Sequence, residues 1–74
     1  APTVDAWHVE KTKGVYVITG KKIERFAART DFDSEPGIRR LRDIMKKMGI
    51  MHELTRQGAK TGDRLTIAED QLEY

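Results

Sequence analysis

Apolar positions along this chain switch between two periods, and the switches divide it into seven elements. Trp7 and Val9 alternate with His8 and Glu10, the spacing of a half-buried strand. Thr12-Lys13-Gly14 makes a turn, and Val15-Tyr16-Val17-Ile18 has the β-branched and aromatic content of a second strand, so an antiparallel hairpin is expected. At Gly20 the period becomes helical. Ile23, Phe26, Ala27 and Thr30 fall on one stripe and leave the charged residues between them to solvent.

A break at Asp31-Phe32-Asp33-Ser34 precedes the strongest helical signal. Asp33 or Ser34 can accept the free N–H groups of a new helix, and Glu35 and Pro36 suit its first turn. Ile38, Leu41, Ile44, Met45 and Met48 form its apolar stripe. Lys46 and Lys47 favour its C-terminal end, and Gly49 can take the left-handed conformation that stops it. A shorter helix is expected over Met51–Gln57, with Ile50, Met51 and Leu54 inward and Gly58 as its end. Residues 58–63 read as a turn containing Gly58 and Gly62, in which Asp63 accepts nearby N–H groups. Leu65 and Ile67 then alternate as a third strand. Ala68-Glu69-Asp70 turns the chain, and Leu72 and Tyr74 alternate as a fourth.

The order ββαααββ predicts an α+β fold of two layers: a four-stranded mixed sheet with about three helices on one face. Several strand orders satisfy that pattern. Residues 1–6 lack periodicity and read as a linker or frayed start, leaving one domain over residues 7–74.

Composition narrows the setting. A chain of 74 residues buries only about 60% of the surface its unfolded form exposes, so its core is modest. With 38% apolar and 35% charged residues it is a solvated globular chain. It has no cysteine, which excludes disulfides and thiolate metal sites and suits a reducing, cytoplasmic setting. No apolar run is long enough to cross a membrane as a helix. The start at Ala1 instead of Met fits a piece of a larger protein, and equally the removal of an initiator Met before Ala.

Catalytic chemistry finds little footing. Gly20-Lys21 follows a strand and opens a helix, as in a phosphate loop, but the glycine spacing is wrong and Lys22 stands where Ser or Thr should reach the metal. His8 and His52 lie far apart with no partner at a metal-ligand spacing. Asp31 and Asp33 fit helix capping better than acid–base work. No catalytic, cofactor-binding or metal-ligating residue is therefore expected.

The cations are more informative. Lys21, Lys22, Arg25 and Arg29 decorate the first helix, and Arg39, Arg40, Arg42, Lys46 and Lys47 surround the second away from its apolar stripe. Two such helices side by side would offer a positive face to RNA phosphates or to an acidic protein. The net charge is only +2, however, and Asp43 lies four residues from both Arg39 and Lys47, which favours an ordinary solvated face.

From Gly14 to Tyr74 the chain resembles the C-terminal domain of the Obg (CgtA-type) family of ribosome-associated GTPases. The resemblance rests on Val17-Ile18-Thr19-Gly20-Lys21-Lys22-Ile23-Glu24-Arg25, on Thr30-Asp31-Phe32, on Met48-Gly49-Ile50, and on Leu54 ahead of Gly58-Ala59-Lys60-Thr61-Gly62-Asp63. The chain closes with Leu72-Glu73-Tyr74, where the family often shows Phe-Glu-Phe. This resemblance implies a non-catalytic regulatory or interaction domain of a GTPase that acts in large ribosomal subunit assembly and in stress responses linked to guanosine tetraphosphate. It places GTP and Mg²⁺ in a separate GTPase domain, and makes that domain and the large ribosomal subunit the partners. Gly20, Gly49, Gly58, Gly62 and Asp63 match the family pattern as backbone turns. Two other readings of the residues stay open: an autonomous RNA-binding module using the basic helices, and a guanine-nucleotide binder at Gly20–Ile23.

Overall fold

A computed structural model describes residues 6–74, so most of the expected linker over residues 1–6 lies outside the described residues. The chain runs β1 (His8–Thr12), β2 (Val15–Thr19), α1 (Lys21–Ala28), α2 (Glu35–Met48), α3 (Ile50–Arg56), β3 (Arg64–Ile67) and β4 (Asp70–Glu73). This is the expected ββαααββ order.

The strands lie in the order β1-β2-β3-β4. β1 with β2, and β3 with β4, form antiparallel hairpins, while β2 and β3 pair in parallel with Tyr16 opposite Leu65 and Ile18 opposite Ile67. A parallel pair cannot be joined by a tight turn. Residues 20–63 supply the crossover, and all three helices lie within it.

Strand register puts Val9, Tyr16, Ile18, Leu65, Ile67 and Leu72 on one face, and all six are buried. The helices cover that face with Ile23 and Ala27 from α1, Leu41 and Met45 from α2, and Ile50 and Leu54 from α3. His8, Glu10, Gln71 and Glu73 point the other way and are exposed, with Val17 and Thr66 half-buried among them. These twelve buried side chains, none of them charged, close a core within the chain itself.

Local chemistry sets the element boundaries. Ser34, and not Asp33, caps α2: its Oγ accepts the Gly37 N–H at 3.3 Å, while Asp31 Oδ1 accepts the Asp33 N–H at 2.9 Å and shapes the turn before it. Gly49, at φ +90°, ends α2 and starts α3 in one residue. Its N–H donates to the Lys46 carbonyl and its own carbonyl accepts the Glu53 N–H. That economy is why α3 begins at Ile50 and not at Met51, and Gln57 becomes its C-terminal cap. The β3–β4 turn needs only Ala68 and Glu69, with Ala68 at φ +55°, so Asp70 pairs with Ile67 inside the ladder. Tyr74 falls just past β4 but stays tied: its N–H donates to the Asp63 carbonyl at 2.7 Å, and its hydroxyl shares a hydrogen bond with Thr55 Oγ1.

Trp7 joins two corners. Its indole N–H donates to the Met48 carbonyl at 3.1 Å, satisfying one of the unpaired acceptors at the end of α2. Its backbone meanwhile lies against Gly20, where a Cβ would come within 2.6 Å of the Ala6 carbonyl and 3.0 Å of Trp7 Cα. Gly20 also sits at φ +147°, a region closed to other residues.

The sheet edges are held by helix side chains. Gln57 Nε2 donates to the Val9 carbonyl of β1 at 3.1 Å, and Arg42 donates to the Glu73 carbonyl of β4 at 2.8 Å. Each bond gives an edge-strand carbonyl a partner within the chain, reducing what the edge offers to another chain.

Gly20→Ala should therefore destabilise by more than the roughly 1–3 kcal/mol of backbone strain alone. Gly58→Ala, at φ +98° with nothing near its Cβ, should lose only about 1–2 kcal/mol. Urea denaturation of the two variants compares them directly. Equal losses would mean that the Ala6–Trp7 segment does not pack against the start of α1.

Candidate partner-binding surface

The first turn of α1 is the place to look for an anion, because its backbone N–H groups lack helical partners. The cap residue just before that turn is already engaged. The Gly20 N–H donates to Glu24 Oε2 at 2.8 Å, and Ala6 and Trp7 cover the glycine. With a carboxylate against the cap residue, and Lys22 where a metal-binding hydroxyl would have to be, these residues do not fit a nucleoside triphosphate with Mg²⁺.

The expected basic face proves to be divided. Arg39, Arg40, Lys46 and Lys47 on α2 are exposed, as are Lys21, Arg25 and Arg29 on or just after α1, while Lys22 is half-buried. Arg42, counted among the same cations, is half-buried and engaged with the Glu73 carbonyl. Its Nε is buried without a hydrogen-bond partner. It serves as a strut between α2 and β4. Asp43 makes no ion pair with Arg39 or Lys47 among the described residues, so that expected neutralisation does not occur.

Two flanks of α2 result. Arg42 and Lys46 border a shallow groove with Met51 and Thr55 of α3. Arg40 lies on the opposite flank, across from Arg29. Between them runs a crevice of about 400 Å³ whose wall includes Phe26, Thr30, Leu41 and Ile44. Lys47, two turns beyond Arg40, falls on this same flank.

Phe26 and Ile44 were legible only as core positions. Both pack against the core yet remain half-buried, leaving apolar surface in the crevice. The available signal was local: Phe26 lies three residues before Arg29, and Ile44 four residues after Arg40, so each shares a helix flank with an arginine.

The glycines expected at turns do take positive φ: Gly49 and Gly20 as described, Gly58 at +98° and Gly62 at +94°. Asp63 Oδ2 accepts the Lys60 N–H at 2.9 Å. His8 and His52 are both exposed. Among the described residues there is no group of three or more His, Asp or Glu able to hold a metal ion, and no helix is long and apolar enough to cross a membrane.

A second polar cluster was not foreseen. Glu53 accepts a two-pronged bond from Arg56, Nε to Oε1 at 2.8 Å and a terminal nitrogen to Oε2 at 2.6 Å. Gln57 Nε2 adds a third bond to Oε2 at 2.8 Å and also reaches the Val9 carbonyl, while Tyr16 donates its hydroxyl to the Gln57 carbonyl at 3.3 Å. Glu53 thus positions the side chain that ties α3 to β1. The Arg56 bonds, helped by Gln57, hold its carboxyl down from 4.5 to about 2.

With this geometry in view, comparison with known proteins is decisive. Residues 3–74 match the family described as "Domain of unknown function (DUF1967)". GTPase Obg of Onion yellows phytoplasma is 41% identical over 66 residues, which cover 89% of this chain and 15% of the relative. GTPase Obg of Phytoplasma australiense is 42% identical over 80% of the chain and 14% of the relative. GTPase Obg of Staphylococcus aureus (strain Newman) is 36% identical over 99% of the chain and 17% of the relative. The chain belongs to the DUF1967 family, the C-terminal domain of Obg GTPases. It spans only a small part of the relatives it matches, 14% to 17% of their length.

Acid titration tests the Glu53 cluster. As pH falls the unfolded chain takes up the proton first, so this stabilisation is complete above pH 4.5 and is lost toward pH 2. Glu53→Gln should flatten the fall in stability across that window, and the Glu53 carboxyl carbon should titrate near 2. A midpoint at the ordinary 4.5 would contradict the cluster.

Proposed function

We propose that this Obg domain is a non-catalytic regulatory and docking module of an Obg-type GTPase. Through it the parent protein engages the large ribosomal subunit during assembly, in the cytoplasm, and responds to stress signalled by guanosine tetraphosphate. GTP and Mg²⁺ belong to the parent's GTPase domain. The observation that carries the reading is the match of nearly the whole chain to a small portion of proteins named GTPase Obg. The α1–α2 surface supports it physically. Exposed cations on two neighbouring helices give long-range attraction to an anionic particle.

The rival reading, an autonomous RNA-binding module, draws on the same cations. It is weakened by their division between two flanks, by the internal bond of Arg42, and by a net charge of only +2. A guanosine tetraphosphate site at Gly20–Ile23 is disfavoured because the Glu24 carboxylate lies against the Gly20 N–H, where it would repel a phosphate.

The test uses the parent GTPase with Arg39→Glu, Arg40→Glu and Lys47→Glu combined. Association with the large subunit should weaken by about tenfold or more at low salt and by less at high salt, with folding intact. Unchanged association would overturn the docking role. Salt-dependent RNA binding by the 74-residue chain alone, lost in the same variant, would favour the autonomous module.

A further inference from the structure

We infer that the crevice between α1 and α2 is a docking site for an acidic, amphipathic protein segment that inserts one large apolar side chain between Arg29 and Arg40. The inference deepens the docking role proposed above and names the chemistry of the partner.

Three observations lead to it. The crevice, at about 400 Å³, has room for a large side chain, and its wall offers Phe26, Leu41 and Ile44. Phe26 and Ile44 are half-buried, so part of their apolar surface still faces water and would gain from being covered. The two flanking arginines come from different helices and are both exposed. Among the described residues neither forms an ion pair, so both guanidinium groups are available to carboxylates. Arginine is suited to this role, because its planar fork binds a carboxylate through two bonds at once.

The arrangement favours a peptide over nucleic acid. Asp31 also lines the crevice, and Asp33 is exposed on the same connection. An RNA backbone carries a charge at every nucleotide and would meet these carboxylates. A peptide can set its acidic side chains against the arginines alone. An apolar anchor with flanking charges is also how a helix or extended segment usually seats in a groove.

The experiment is an amide NMR titration of the 74-residue chain, whose core closes without another domain. The probe is a short peptide of glutamates around one central phenylalanine. Shifts should saturate at Phe26, Gly37 and Ile44. Replacing the phenylalanine of the peptide by alanine, or introducing Arg29→Glu with Arg40→Glu, should each weaken binding by about tenfold or more. Arg29→Gln with Arg40→Gln serves the same purpose if charge reversal disturbs folding. Absence of saturable binding overturns the inference, as does equal binding of the alanine peptide or a map that falls elsewhere. Tighter binding of an oligouridine at these same amides would assign the crevice to RNA. If the peptide fails while the parent variant still loses the large subunit, the crevice is refuted and the docking role stands.

Discussion

The parallel pairing of β2 with β3 is the constraint on which the rest of the Obg domain depends. Two hairpins, one from each end of the chain, meet along Tyr16–Leu65 and Ile18–Ile67, and those four side chains are all fully buried. Parallel neighbours demand a long return path, so every helix is confined to the stretch between them. The helices must then cover the face that carries the apolar side chains of both hairpins. A domain of this size has little stability to lose. Truncating one of these residues to alanine would remove about 2–5 kcal/mol, much of what such a fold possesses.

Around that centre, a few polar contacts fix the position of the helical layer. Trp7 links the start of α1 to the α2–α3 corner, Gln57 ties α3 to β1, and Arg42 ties α2 to β4. Each uses a backbone carbonyl that its own element leaves available. They hold the sides of the layer and, among the described residues, leave Arg25, Arg39 and Arg40 on the outward surfaces of α1 and α2 exposed. The proposed docking role rests on this division of labour, with internal ties along the sheet edges and exposed cations on the outer helical surface.

Much of this was legible in the residues. Period-two and helical spacing located all seven elements, because buried positions in a two-layer fold must obey those periods. Strand order was not legible, since alternation shows which face is buried but not which neighbour is paired. The one-residue displacements at Ile50 and Asp70 arose where Gly49 and Ala68 make tighter turns than composition alone implies. The candidate surface was legible by charge and not by role. Arg42 looks like its neighbours along the chain, and only the approach of β4 makes it a strut. Phe26 and Ile44 read as core because periodicity cannot reveal that two helices leave a crevice between them. The Obg resemblance drew on turn glycines and their spacing, features set by backbone geometry and therefore visible without a fold.

In the proposed docking role, the Obg domain would meet the large ribosomal subunit through its helical layer. Hydrogen–deuterium exchange of the full parent GTPase, free and bound to the large ribosomal subunit, tests it most directly. Docking through the helices should add protection within α1 and α2 over residues 21–48, with exchange in β1 to β4 unchanged. Protection confined to the strands, with the helices exchanging as in the free protein, would contradict it.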